Sequence, residues 1–167
     1  MKLGEIARVA RGIVTGNRSL YIMTRAEAKE RGLEQFVKPV LGGATAFPKS
    51  GKPVVRDSPD RLVLVIATTR DVDDFPALRA HFGETSPKVA SVRVAPIAAT
   101  YVGVPRFVSN PDGLVITNSL YTVTPRKSMN QKDIAALVDR LNVAMARLPK
   151  KGYAGRYTPK SLEALEI

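Results

Sequence analysis

A glycine turn, Gly12-Ile-Val-Thr15-Gly16-Asn17, sits among four basic side chains, Lys2, Arg8, Arg11 and Arg18. Glu5 is the single acid between Leu3 and Tyr21. Glycine tolerates positive φ and lets the backbone approach a phosphate closely. Thr15, Asn17 and Arg18 add short donors and a fork beside it. The chemistry available here is contact with an anion, above all with nucleic acid. The same residues also read as an ordinary hairpin turn between two strands.

Catalytic groupings are scarce. His81 is the lone histidine, next to Phe82 in a segment of helical pattern, with no second histidine or nucleophile at useful spacing. It reads as a packing residue. No Lys-Ser/Thr follows a glycine run, and no dinucleotide fingerprint follows a strand. Asp71, Asp73 and Asp74 cluster where a helix start attracts acids, so capping explains them. With no cysteine there is no disulfide framework and no thiolate metal site. The chain is expected to bind rather than to catalyse, with no cofactor of its own.

Charge supports binding. The net charge is +11 over 167 residues, and it is segregated. Residues 1–26 hold five bases and one acid; residues 27–84 balance at nine of each. Residues 85–162 hold twelve bases against Asp112, Asp133 and Asp139. A face for a polyanion assembled from both ends of the chain would produce that distribution. Hydrophobic content of 44% and a charged fraction of 25% are those of an ordinary folded chain. The longest apolar run, Leu62 to Ala67, is strand-sized, and no signal-peptide layout opens the sequence. A cytoplasmic protein of one domain, spanning residues 1–167, is expected.

The elements that must position these groups follow from periodicity and breakers. Glu5–Gly12 and Leu20–Met23 alternate like two strands flanking the glycine turn. Thr24-Arg-Ala-Glu27 is a capping box and Gly32 a stop, predicting a helix over Arg25–Arg31. Glu34–Leu41 is apolar enough to pack, residues 42–60 read as an irregular excursion, and Arg61–Ala67 as a buried central strand. Asp73–Phe82 reads as a helix ending near Gly83. Ser91–Val94, Val104–Ser109, Leu114–Thr117 and Leu120–Thr124 have strand composition, with Asn110-Pro-Asp-Gly113 as a hairpin turn. Asn130–Leu148 is the clearest helix, with Ile134, Leu137, Val138, Leu141, Met145 and Leu148 on one face. A basic linker, Lys150 to Arg156, leads to a short last helix capped by Thr158 with Pro159 in its first turn. The class is α+β, mostly β, with mixed and antiparallel sheets, one long helix and several short ones.

On this frame the DNA-binding candidates are Arg11, Thr15, Asn17 and Arg18 for backbone or groove edge, and Arg93, Arg106 and Asn118 for base edges. Lys127, Lys150, Lys151 and Arg156 are placed for phosphates. Asn17, Asn118 and Asn142 each carry an amide that matches an adenine edge. Tyr101, Tyr121, Tyr153 and Tyr157 offer rings for stacking or wedging, with packing as their alternative use.

The order of motifs resembles a known family. Its G-x-x-T-G-x-N motif stands here as Gly12-Ile-Val-Thr15-Gly16-Asn17, one residue tighter. Arg93 and Pro96 follow, then Pro105-Arg106-Phe107-Val108, Asn118-Ser-Leu-Tyr121 before Pro125, and a helix with Leu141-Asn142. Tyr157-Thr-Pro-Lys-Ser-Leu162-Glu-Ala-Leu165 closes the series. Over nearly the whole chain this resembles the C-terminal target-recognition domain of TaqI-like adenine-specific DNA methyltransferases of restriction-modification systems. The resemblance implies double-stranded DNA as partner. It also implies a separate N-terminal catalytic domain that binds S-adenosylmethionine and holds the flipped adenine with Asn-Pro-Pro-Tyr/Phe, a tetrapeptide this sequence lacks.

Two other readings compete. Half of a Type I specificity subunit opens with a similar Leu-Gly-Glu-Ile, but it continues into a spacer helix longer than Asn130–Leu148. A basic, non-enzymatic protein-interaction module would carry the same charge and bind without the salt dependence of DNA.

Overall fold

A computed structural model describes residues 1–41, 61–89, 94–100, 103–148 and 157–167. The expected excursion over 42–60, most of the Ser91–Val94 strand and the basic linker lie outside these residues. The described part is α+β, 39% helical and 24% strand, so helix outweighs strand.

Among the described residues eight strands form two four-stranded sheets. They are β1 (Ala7–Arg11), β2 (Ile22–Met23), β3 (Val37–Leu41), β4 (Leu62–Leu64), β5 (Ile97–Ala99), β6 (Phe107–Ser109), β7 (Val115–Ile116) and β8 (Tyr121–Pro125). The first sheet, in order β1-β8-β5-β6, is antiparallel throughout. The second, β2-β4-β3-β7, is mixed, because β3 and β7 run parallel.

Alternation along the strands explains how the layers stack. In the first sheet Val9, Ile97, Ala99, Phe107, Tyr121 and Val123 point to one face. There they meet the long helix α6 (Gln131–Arg147) and the short helices α1 (Leu3–Ile6) and α7 (Pro159–Glu163). The intervening Ala98 and Val108 point the other way, into a cluster with Leu41, Leu114, Ile116 and Leu120 that joins the two sheets. The second sheet repeats the device: Leu62 and Leu64 pack under short helices, while Val63 packs with Ile13, Val40 and Val115.

Local signals predicted several elements well. Thr24 and Glu27 form the expected capping box on α3 (Arg25–Glu30), with Thr24 Oγ1 accepting from Glu27 N at 3.2 Å. Asn130 caps α6, and Ile134, Leu137, Val138, Leu141 and Met145 are buried as its period requires, although Leu148 is exposed. β4 is central and buried, as its β-branched run implies. Thr158 caps α7 and Pro159 opens it.

Four expectations are corrected. Leu3–Ile6 is a helical turn, so β1 starts only at Ala7. The glycine turn does not close a hairpin: β1 belongs to the first sheet and β2 to the second, with α2 (Arg18–Tyr21) between them. The Asn110–Gly113 turn likewise sends β6 and β7 into different sheets. The turn chemistry is real, with Asn110 Oδ1 accepting from Leu114 N at 3.0 Å, but a turn does not dictate which strand receives the outgoing chain. The helix expected over Asp73–Phe82 is two, α4 (Thr69–Asp74) and α5 (Pro76–Phe82). Pro76 forces Phe75 into an extended conformation, φ −113° and ψ 109°, and then begins the next helix. Asp71 caps α4, as expected of that acidic cluster. Among the described residues no helix is long and apolar enough to cross a membrane.

Candidate nucleic-acid interface

The glycine segment is a seam between sheets. Gly12 N donates to Leu120 O at 3.1 Å, Ile13 N to Ile116 O at 2.7 Å, and Asn118 N to Ile13 O at 2.9 Å. The chain is thereby stitched alongside residues 116–118. A methyl group on Gly12 would fall 2.3 Å from Ile116 O and 2.2 Å from Thr117 O. Glycine is required here for close backbone packing. The stitch places Asn118, exposed, beside the loop that carries Thr15 and Asn17.

Within that loop the side chains divide. Thr15, nominated for a backbone or groove-edge contact, is buried, with 8% exposure. Asn17 Oδ1 accepts from Ser19 N at 3.2 Å and Ser19 Oγ at 2.7 Å, so it caps α2. Arg18 is exposed on the first turn of α2. Gly16, at φ +70°, lies under the side chain of Lys88, whose Nζ would be 2.7 Å from a Cβ there. Lys88 N in turn takes the Tyr21 hydroxyl as acceptor at 2.6 Å. Lys88 thus joins Arg18 near the turn, 70 residues along the chain, with no signal in its own neighbourhood to announce it.

The larger basic feature lies on the first sheet. Arg8 and Ala10 on β1, and Thr122 and Thr124 on β8, share the face opposite the helices; Arg8 is paired with Thr124 and Ala10 with Thr122. The second sheet covers this face over β5 and β6 but leaves the β1–β8 half open. A groove of about 510 Å³ results, lined by Arg8, Ala10, Val94, Thr122, Thr124, Pro125 and Arg126. Among the described residues its lining offers two guanidinium groups, two hydroxyls and no carboxylate.

Arg126 is held in place from behind. Its Nε donates to Gly4 O at 2.9 Å and its backbone N to Ile6 O at 2.8 Å. Two residues beyond Thr124, it is the diagonal neighbour of Arg8, and both line the groove. Guanidinium forks suit phosphate oxygens in this setting. Arg11 at the end of β1 and Lys127 after β8 are exposed but do not line the groove, and by alternation Arg11 shares the face of Val9. Arg8, Arg126 and Thr124 were not nominated from sequence. The usable signal was the two alternating strands, but their pairing across more than a hundred residues was not legible.

The remaining nominees scatter. Arg106 is exposed just before β6, its backbone N donating to Thr100 Oγ1 at 2.9 Å. Arg93, Lys150, Lys151, Tyr153 and Arg156, and also Tyr101, lie outside the described residues. Tyr121 is buried at 2% exposure and its hydroxyl donates to Tyr157 O at 2.8 Å, so its ring packs in the core and cannot stack on a base. Asn142 is also withdrawn from any base: both ends of its amide bind the backbone of Phe107. His81 matches the packing role, its Nε2 2.7 Å from Leu20 O and its ring edge-on to Phe82. Among the described residues no group of three His, Cys, Asp or Glu side chains is arranged to hold a metal ion.

No protein-family model matches this chain.

Proposed function

We propose that this chain is a sequence-specific double-stranded DNA-binding domain, acting as the target-recognition part of an adenine-specific, S-adenosylmethionine-dependent DNA methyltransferase. The observation that carries the DNA reading is the groove in which Arg8 and Arg126 stand diagonally across paired strands, with no acid among its described lining residues. The order of motifs from Gly12 to Leu165 supports the methyltransferase assignment. In this reading Arg8, Arg126, Arg11 and Lys127 hold phosphates, while Arg106, Asn118 and Arg18 lie nearer to base edges. Catalysis and cofactor binding belong to a separate domain, and a cytoplasmic location accompanies the role.

The test is a selection of duplexes from a randomised pool, followed by titrations of the enriched and scrambled sequences over a salt series. A preferred sequence bound with steep salt dependence is expected. Arg106→Ala should relax that preference while leaving the scrambled duplex unaffected. Absence of any enriched sequence, or affinity that ignores salt, would exclude the reading in favour of a protein-interaction module.

A further inference from the structure

Among the described residues β6 is an edge strand, and its pairing dictates where each peptide group points. Ala98 is opposite Val108, Thr100 N donates to Arg106 O at 3.0 Å, and Asn110 N to Pro96 O at 2.8 Å. Arg106, Val108 and Asn110 therefore turn their backbone groups toward β5. By alternation, the N–H and C=O of Phe107 and Ser109 point outward. At Phe107 both groups are taken by Asn142, with Phe107 N to Oδ1 and Nδ2 to Phe107 O each at 2.9 Å. At Ser109, among the described residues, neither is hydrogen-bonded to a partner.

The helix explains the difference. Val138 and Ala135 lie four and seven residues before Asn142, on the same face of α6, one and two turns along its axis. A helical turn of about 5.4 Å nearly matches the two-residue repeat of a strand, about 6.7 Å. Where Asn142 meets Phe107, the next level therefore offers Ser109 only short apolar side chains. A cleft of about 430 Å³ remains, with Pro96, Pro111, Met129, Ala135 and Val138 as its apolar wall, Ser109 on its strand side, and Asn110, Gln131 and Lys132 completing the lining.

We infer that this cleft binds a small planar ligand carrying an adjacent N–H donor and carbonyl acceptor, that is, a lactam or a carboxamide on a flat ring. The chain itself displays the mode one level away, where a primary amide docks on the same strand edge. The apolar part of the lining accepts the ring faces, Gln131 and Lys132 border it, and the volume is in the range of small-molecule sites. This inference is independent of the DNA reading, because the cleft lies on the helix side of the first sheet.

The experiment titrates 2-pyridone into the ¹⁵N-labelled protein and follows the amide resonances. A saturable shift of the Ser109 amide is expected, with N-methyl-2-pyridone, which has no donor, bound about tenfold more weakly for the loss of one hydrogen bond. Ala135→Phe, at an exposed position, should fill the cleft and abolish the shift while the other amide resonances keep their places. An unmoved Ser109 amide, equal affinity for the N-methylated ring, or full binding by folded Ala135→Phe protein would each overturn the proposal.

Discussion

The side-chain amide of Asn142 pairs with both backbone groups of Phe107, doing for the edge strand β6 what another strand would do. On the opposite edge of the same sheet, Val9 N donates to Glu163 Oε1 at 2.8 Å. Helices α6 and α7 thus each satisfy part of an edge with a single side chain, at Phe107 on β6 and at the N–H of Val9 on β1, which shortens the template left for further pairing.

Asn142→Ala leaves the N–H and C=O of Phe107 without partners in a half-buried position. A loss of about 2–4 kcal/mol is expected, since each unsatisfied group costs about 1–3 kcal/mol. Urea denaturation measures it, and a loss below about 0.5 kcal/mol would show that water replaces the amide freely.

Gly12→Ala drives a methyl group into two carbonyl oxygens that are themselves fixed by the stitch between sheets. A loss of about 3 kcal/mol or failure to fold is expected. Gly83→Ala provides a control for the cost of a strained glycine conformation alone, because nothing lies within 4 Å of a Cβ there. Comparable thermal midpoints for the two variants would refute close packing as the reason for Gly12.

Replacing Arg8 and Arg126 together by Gln should weaken binding to every duplex alike and lower the salt slope by about 1.8, the contribution of two phosphates. Titrations of a scrambled duplex at several salt concentrations give the slope. The same slope in both proteins would remove the groove from the interface.

Glu27 titrates below its ordinary value of 4.5. The largest cause is the hydrogen bond from the Thr24 backbone N–H, followed by the Thr24 hydroxyl and the charge of Arg31. Because the folded-state value is depressed, the stabilisation is complete above the unfolded-state value and is lost as pH falls through the folded one. Glu27→Gln should therefore lose stability relative to the parent at neutral pH, with the difference shrinking as pH drops below 4.5. Denaturation series across that interval test it; a difference constant with pH would assign the loss to something other than the carboxylate.

Sequence alone determined the features whose causes lie within one or two turns of chain. Thr24 with Glu27, Asn130 before α6, Thr158 with Pro159, and the apolar period from Ile134 to Met145 are all contacts between near neighbours, and each element stands where those residues place it. The breaker at Pro76 is equally local, although apolar residues continue on both sides of it. The basic character of the chain's two ends was also there to be read.

Tertiary structure decided everything that depends on which strand neighbours which. A turn such as Gly12–Asn17 or Asn110–Gly113 specifies a change of direction, while the sheet that receives the chain is chosen by burial on both faces of each strand. That choice separated β1 from β2, made Gly12 a packing residue, and set Arg8 beside Thr124 and Arg126 across the first sheet. It also spent the amides of Asn17 and Asn142 on capping a helix and a strand edge. Phe107 is 35 residues from Asn142, and Val9 is 154 from Glu163. Over such separations no spacing rule operates, and only the assembled sheets bring the partners within hydrogen-bonding distance.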